Sequence, residues 1–328
     1  AMVSVDIYLN ETTRHADVVL PPPSTLEKSH YDLAFTNLAV RNVANWSPPV
    51  FPTDQPAEED IFAMLALIAL GFGPESDPAM MHDQLLTGLL QAEIDNEASP
   101  VAGRDLGELL AMVDGEHGAD RVLDAMLRTG PRGDGFGADP DGLSLAKLQA
   151  NPHGIDFGPL ETRLPGHLRT PGQRIDLFAG PFAEELHRLA ERLPEWAADH
   201  RLRLVGRRHL RSKNSWMHNT PVLVMGKPGC TLQVHPAAAA ALGVADGAPA
   251  RVRSRVGEVV APVEVTDAVM PGVVSLPHGW GHDVPGVRMG VAREHAGVNS
   301  NVLTDPGVID PLSGNAVLNG IPVEVAPA

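Results

Sequence analysis

The chain has 328 residues, with 41 Asp and Glu against 25 Lys and Arg, a formal net charge of −16 and a single cysteine. That length allows a sizeable core and two domains. One cysteine excludes an internal disulfide framework and any CxxC zinc or iron–sulfur site, while 32 Gly and 30 Pro favour a loop-rich chain with tight connections.

From the start, AMVSVDIYLNETTRHAD has neither a basic leader nor a long apolar core, so no secretory signal is read and a cytoplasmic location is expected. Ala1-Met2 reads as a tag scar before a start, which points to a truncated chain. VSVDIYL (3–9) has strand composition, ADVVLPPP (16–23) is a second apolar run stopped by prolines, and PSTLEKSH reads as loop. NWSPPVFPTDQP (45–56) is a proline-rich connector. Thr53 or Asp54 is the expected cap of a helix carrying Ile61, Met64, Leu65 and Ile68 at helical spacing. The apolar run IFAMLALIALGF (61–72) is too short to span a bilayer, so no membrane partner is expected. Two shorter helices are predicted at Leu106–Met112 and Val122–Leu127, and RTGPRGDGFGADPDG (128–142) is predicted to be loop or disordered. PFAEELHRLAERL (181–193) reads as a helix opened by Pro181, with Phe182, Leu186, Leu189 and Leu193 as its apolar stripe.

Charge and texture both change near residue 200. Residues 1–199 carry 13 basic and 32 acidic residues, net −19, whereas 200–328 carry 12 and 9, net +3, with seven of the 14 His. The second half is therefore the better candidate for an anionic ligand. It reads as short strands, LRLVG, TLQVH, APARVRS, EVVAPVEVT, GVVSLPH and PVEVA, with HPAAAAALGV inserted as one helix ending at Gly243. That spacing implies a closed or sandwich-like β module rather than βαβ units.

Three stretches carry candidate chemistry. RLRLVGRRHLRSKNSWMHN (201–219) has six Lys or Arg in its first thirteen residues and no Asp or Glu. Arg offers a fork of donors that matches phosphate, Asn and Ser offer short polar groups, and Trp216 offers a flat face for a heterocycle. A basic loop that only meets water is the plainer reading. In SLPHGWGHDVPG (275–286), glycines flank Trp280 as if the backbone must approach something closely. His278 and His282 are four apart, but Pro277, Gly279 and Gly281 argue against the helix that a zinc pair needs, and structural histidines are the simpler reading. In HAGVNSNVLTD (295–305), Asn299 and Asn301 would share one side of an extended segment and could read a pterin or purine edge, unless they only serve a turn. No nucleophile elbow, HExxH, P-loop or Rossmann fingerprint is present, and Cys230 reads as a small buried residue.

In this order the segments resemble the C-terminal part of a molybdopterin oxidoreductase of the dimethyl sulfoxide reductase family. ETTRHADVVLPPPSTLEKS is similar to the family segment that closes its α/β region. GRRHLRSKNSWMHN, LQVHPAAAAALGVADGAPARVRSRVGEVVAPVEVTDAVMPGVVSLPHGWGH and GVNSNVLTD with DPLSGNAVLNGIPVEV resemble its molybdopterin-dinucleotide-binding domain nearly throughout. The resemblance implies an α/β fragment over 1–196 followed by an all-β double-psi β-barrel of the aspartate-decarboxylase-like kind over 197–328. It implies that the cofactor, molybdopterin guanine dinucleotide with molybdenum or tungsten, meets Arg207, Arg208, Arg211, Ser212, Asn214, Ser215, Trp216, His218, Asn219, Trp280, His282, Asn299 and Asn301.

It also implies that the iron–sulfur cysteines and the metal-ligating residue lie in an N-terminal catalytic portion, the expected partner. The chain alone would then be apo and inactive, a cofactor-binding piece of a formate-dehydrogenase-like enzyme. Where relatives often have Gly-Thr after this motif, the chain has His30-Tyr31. Two readings compete: a non-catalytic barrel that binds a protein or nucleic acid, and a stand-alone barrel enzyme such as a decarboxylase-like double-psi protein. A net charge of only +3 on the barrel half argues against nucleic acid.

Overall fold

The computed structural model describes residues 1–32, 34, 38–116 and 118–328. The chain forms two compact units, Val3–Ile7 with Val18–Leu164, and Ala1–Met2 with Tyr8–Asp17 and Pro165–Ala328.

In the first unit, β1 (Val3–Val5) pairs in parallel with β2 (Val18–Leu20). β3 (His30–Tyr31) pairs with β5 (Trp46–Ser47), and β4 (Arg41–Ala44) pairs antiparallel with β6 (Ile155–Pro159). The helices are α1 (Glu58–Ala69), α2 (Ala79–Asp95), α3 (Leu106–Met112), α4 (Gly118–Thr129) and α5 (Leu145–Gln149). Leu86, Leu90, Val101, Leu109, Ala125 and Phe136 make one core cluster, and Ala44, Leu127, Leu143, Leu145 and Leu148 make another.

One sequence expectation changes here, one helix is added, and one loop is given its anchor. Neither Thr53 nor Asp54 caps α1. The cap position is Ala57, without a side-chain bond, and Glu58, Glu59 and Asp60 in the first turn face the positive end of the helix dipole instead. α2 was not expected, because its buried Leu86 and Leu90 lie among Met, His, Gln and Thr that blur the periodicity. The 128–142 stretch is a loop anchored at its centre by the buried Phe136 and closed by hydrogen bonds between Arg132, Asp134 and Leu143.

The second unit opens with α6 (Gly180–Ala198), longer than predicted at both ends. Its stripe residues Phe182, Leu186 and Leu193 are exposed rather than packed. Then come β7 (Leu202–Arg207), α7 (Pro221–Val224), β8 (Leu232–Val234), α8 (Pro236–Leu242), β9 (Pro249–Arg253), β10 (Glu258–Val265), β11 (Val273–Pro277), α9 (Gly290–Glu294) and β12 (Ile321–Pro327). Six of these strands close a barrel in the order β10-β8-β11-β7-β12-β9. β7 runs parallel to β11 and β8 parallel to β10, and the other pairings are antiparallel.

Alternation explains the closure. Ala250 and Val252 on β9, Ala261 and Val263 on β10, and Ile321, Val323 and Val325 on β12 point inward, while Arg251, Arg253 and Glu324 stay at the surface. α8 stops at Gly243, whose φ of 69° is the left-handed cap a glycine takes without strain. Among the described residues, no helix is long and apolar enough to cross a membrane.

Candidate functional site

Parallel pairing sets the site. β7 and β11 run the same way, and Arg207 at the end of β7 registers with Pro277 at the end of β11. The loops that follow, 208–219 and 278–289, therefore leave the same end of the barrel. The two halves of the chain that looked most like ligand-binding loops are brought side by side by strand direction alone.

Glycines let the loops touch. A Cβ on Gly279, at φ 86°, would lie 2.3 Å from the Asn214 carbonyl oxygen, and one on Gly281, at φ 107°, would lie 2.7 Å from Asn299 Cβ. The residue between them, Trp280, is only 9% exposed. Gly229 makes room for its ring, where a Cβ would fall 2.9 Å from Cζ2, and Gly297 for its Cβ, where one would fall 3.0 Å away. The indole Nε1 of Trp280 is buried with no partner among the described residues, a cost of about 1–3 kcal/mol unless a ligand supplies an acceptor. Lys213 and Asn214 adopt positive φ of 40° and 59°, a turn that carries the 208–219 loop past Gly279.

The sequence-predicted residues separate into three groups. Facing solvent on this end are Arg208, Arg211, Asn214, Trp216 and Asn301, with Ser215 half-buried. Arg208 Nη1 donates to Asn214 Oδ1 at 2.7 Å and meets His278 Nε2 at 2.8 Å, which preorganises one basic corner. Lys213 Nζ lies 5.8 Å over the Trp216 ring.

A second group is used within the fold. Arg207 donates to His209, to the Ser275 carbonyl and to Thr231, so it staples β7, β11 and the start of β8 together. Burial pulls its pKa below the ordinary guanidinium value, against the opposing Glu264 carboxylate. Asn219 Oδ1 accepts from the Val291 and Ala292 amides at the start of α9. Asn299 Oδ1 accepts from the Asn301 amide and caps a short 3-10 turn, Ser300–Leu303. Of the two readings of Asn299 and Asn301, a shared side of an extended segment or service in a turn, the structure shows the turn for Asn299.

The third group is buried. His218 Nδ1 meets His282 Nε2 at 2.8 Å, His218 Nε2 meets Ser212 Oγ at 2.8 Å, and His282 Nδ1 meets Glu11 Oε1 at 2.7 Å. Both histidines are 1% exposed. Trp280 stacks on His218 with ring centroids 4.0 Å apart. Burial, and next the neighbouring His282, lower the His218 pKa to about 4, so this ring is neutral near pH 7. Sequence reading missed Glu11. Nothing local marks it, because its role arises from the 8–17 segment lying along the 278–289 loop, where Arg14 also donates to the Pro285 carbonyl. His278 and His282 do not converge on one point: the first faces Arg208 and Asn214, the second faces His218 and Glu11.

A separate groove of about 670 Å³ is lined by α6, the 305–322 stretch and the outer face of β7 and β12. Arg188, Arg192, Arg201, Arg203 and Arg255 lie along it. Most are already paired: Arg188 with Glu185, Arg201 and Arg203 with Asp199, and Arg255 with Asp305. Arg192 stacks on Trp196.

Residues 202–322 match the family described as "Molydopterin dinucleotide binding domain". Over 289 residues the chain is 26% identical to the dimethyl sulfoxide/trimethylamine N-oxide reductase of Cereibacter sphaeroides, covering 85% of this chain and 32% of that protein. Over 335 residues it is 26% identical to the trimethylamine-N-oxide reductase of Haemophilus influenzae, covering 95% and 36%. Among solved structures, acetylene hydratase from Pelobacter acetylenicus is similar with a TM-score of 0.61 and 18% identity, covering 99% of this chain and 40% of that chain, a likeness of fold. The chain spans about a third of the length of the curated relatives it matches.

Proposed function

We propose that this chain, which resembles the C-terminal part of a molybdopterin oxidoreductase of the dimethyl sulfoxide reductase family, holds the pterin dinucleotide against the barrel end formed by 208–219, 278–289 and 295–304. The observation that carries this is Trp280. A buried indole donor without a partner sits between two glycines that no other residue could replace without collision, within the matched 202–322 segment. The donor set fits the group. Arg208 and Arg211 expose guanidinium groups suited to phosphate, and Asn214 and Ser215 offer short polar groups for a ring edge.

When bound, the pterin supplies dithiolene sulfurs that hold the redox metal. The chain's own residues orient and retain it. Arg207 and Asn219 hold the loop in place from within, and Ser212, His218 and His282 back it from beneath, rather than contacting the ligand directly.

The finer reading extends this. The parallel pairs β7/β11 and β8/β10 support a double-psi barrel, with 197–328 as the cofactor domain and 1–196 as the remainder of an α/β region. Two guanine dinucleotides, molybdenum or tungsten, and an N-terminal catalytic portion bearing any iron–sulfur cluster complete the cytoplasmic enzyme we envisage. The chain alone is inactive in this reading. A formate-dehydrogenase-like specificity is also proposed, beside relatives named for S-oxide and N-oxide reduction, and a substrate panel on the complete protein separates the two.

The test of the site is Arg208→Ala in the complete protein. Loss of a charge-assisted phosphate contact worth about 1.5–3 kcal/mol lowers bound metal and guanine per chain after gel filtration. Full metal and guanine content in that variant would remove Arg208 from the site.

A further inference from the structure

Three contacts beneath Trp280 join four groups in one unbroken line: Ser212 Oγ, His218, His282 and the partly exposed Glu11, at 2.8, 2.8 and 2.7 Å. Its polarity follows from the acceptor at its end. An ionised carboxylate only accepts, so His282 Nδ1 donates to Glu11. With His282 neutral, its Nε2 accepts, so His218 Nδ1 donates, leaving His218 Nε2 to accept from the Ser212 hydroxyl. Every donor then points toward Glu11. This is the logic of a serine–histidine–carboxylate triad with a second imidazole inserted. The ends differ in access: Glu11 keeps 30% of its side chain exposed, whereas Ser212 is buried within the 208–219 loop, whose Arg208, Arg211 and Asn214 are exposed.

We propose that Ser212, His218, His282 and Glu11 are a proton relay between the ligand-binding end of the barrel and solvent. It rests on the reading that this end holds a redox cofactor, whose turnover moves protons as well as electrons. In one outward step, Ser212 Oγ takes up a proton from the ligand-binding end as the serine proton passes to His218 Nε2. The His218 Nδ1 proton passes to His282 Nε2. One proton has entered at Ser212 and one has arrived on His282, now an imidazolium paired with the Glu11 carboxylate; no electrons move. His282 then releases its Nδ1 proton through Glu11 to water. In the imidazolium state His282 Nε2–H donates to His218 Nδ1, so His218 carries its proton on Nε2 and donates to Ser212. Protonation of one ring thus reverses every bond inward of it.

The surroundings suit the task. Trp280 seals one face of His218 at 4.0 Å, so water does not compete for its ring nitrogens. The charged and titratable groups around the line are Arg14 beside Glu11, and His209 and His278 from the neighbouring loop and strand end. None of these three makes a hydrogen bond to the imidazole nitrogens of the line, and outside it His218 has a hydrogen bond to the Gly279 backbone.

Two measurements test it. The first uses the 328-residue chain with 15N-labelled histidine. Near pH 7, His218 and His282 should both show the Nδ1–H tautomer with slowly exchanging ring protons. The Nε2–H tautomer on either ring overturns the assigned polarity. The second uses the complete cofactor-bearing protein, with proton release on reoxidation followed by an indicator dye. Glu11→Gln keeps an acceptor for His282 Nδ1 but takes up no proton, and should slow proton release about 100-fold with a raised solvent isotope effect. Unchanged release in Glu11→Gln overturns the relay, and Glu11→Asp, which restores a carboxylate, should recover most of the rate. His218→Gln extends the series, and the conclusion does not depend on its folding. The two readings fail separately: a complete protein without pterin removes the cofactor, while fast tautomer-scrambled histidines remove the relay with pterin content intact.

Discussion

The barrel end and the groove beside α6 are both rich in arginine, and they use it in opposite ways. In the groove, four of the five arginines are paired with Glu185, Asp199 or Asp305, and the fifth lies on Trp196. The positive charge there is largely neutralised by the fold. At the barrel end, Arg208 and Arg211 have no acidic partner among the described residues, and a buried indole donor beside them is unsatisfied. The groove is therefore the poorer candidate. What marks a ligand site is charge and hydrogen-bonding capacity left over after the protein has satisfied itself.

The first way to break that contrast is to stop the loops from meeting. Gly281→Ala places a Cβ against Asn299 at a φ of 107°, adding a collision to backbone strain. Gly272→Ala has a comparable φ of 84° but nothing within 4 Å. Strain alone costs roughly 1–3 kcal/mol in each, and crowding adds about 1–3 kcal/mol only to Gly281→Ala. Denaturant midpoints of the two variants should differ by that increment. Equal midpoints would mean that the 278–289 and 295–304 loops are not packed as described.

Acid distinguishes the regions next. His218 has its folded pKa depressed to about 4 from 6.5, chiefly by burial. The unfolded chain therefore binds a proton that the folded chain refuses, and stability falls as pH drops from about 6.5 toward 4. Over the whole window the loss is roughly 3 kcal/mol. The groove behaves otherwise. Asp305 and Asp310 have lowered pKa values, set first by Arg255 and by the Ser313 amide respectively. Their contribution is present above the ordinary carboxylate range and is lost only below it, as pH falls through the depressed values. Thermal melts from pH 7 to 4.5 should show the first loss, and His218→Gln should flatten it.

How much of this was legible in the sequence differs by level. The six barrel strands were readable because PARVR, EVVAPVEV and IPVEV alternate cleanly between core and surface. The glycines flanking Trp280 correctly announced a close backbone approach, although what they approach, Asn214 and Asn299, depends on which loops strand direction brings together. Residue type alone did not separate Arg207 from Arg208. One strand position decides that the first is spent inside on Thr231 and Ser275 and the second faces solvent. Glu11 was invisible, since 271 residues separate it from His282. α2 was lost to weak periodicity, and the apolar stripe of α6 was legible while its exposure was not, because amphipathicity reports a face without saying whether anything covers it.

The smallest expected effect is also the sharpest check on the contrast. Arg255→Ala removes a well-exposed guanidinium from its pair with Asp305 in the groove. Exposed pairs of this kind contribute little, because solvent screens the attraction and two side chains lose freedom in making it. The unfolding midpoint should therefore shift only slightly. Bound metal and guanine in the complete protein should stay at the wild-type level, in contrast to Arg208→Ala. The two substitutions remove the same chemical group from the same barrel unit, so a difference between them isolates position from charge. If Arg255→Ala emptied the protein of cofactor while Arg208→Ala did not, the ligand would belong in the groove. The paired acids there would then have to be read as displaceable stand-ins for its phosphates.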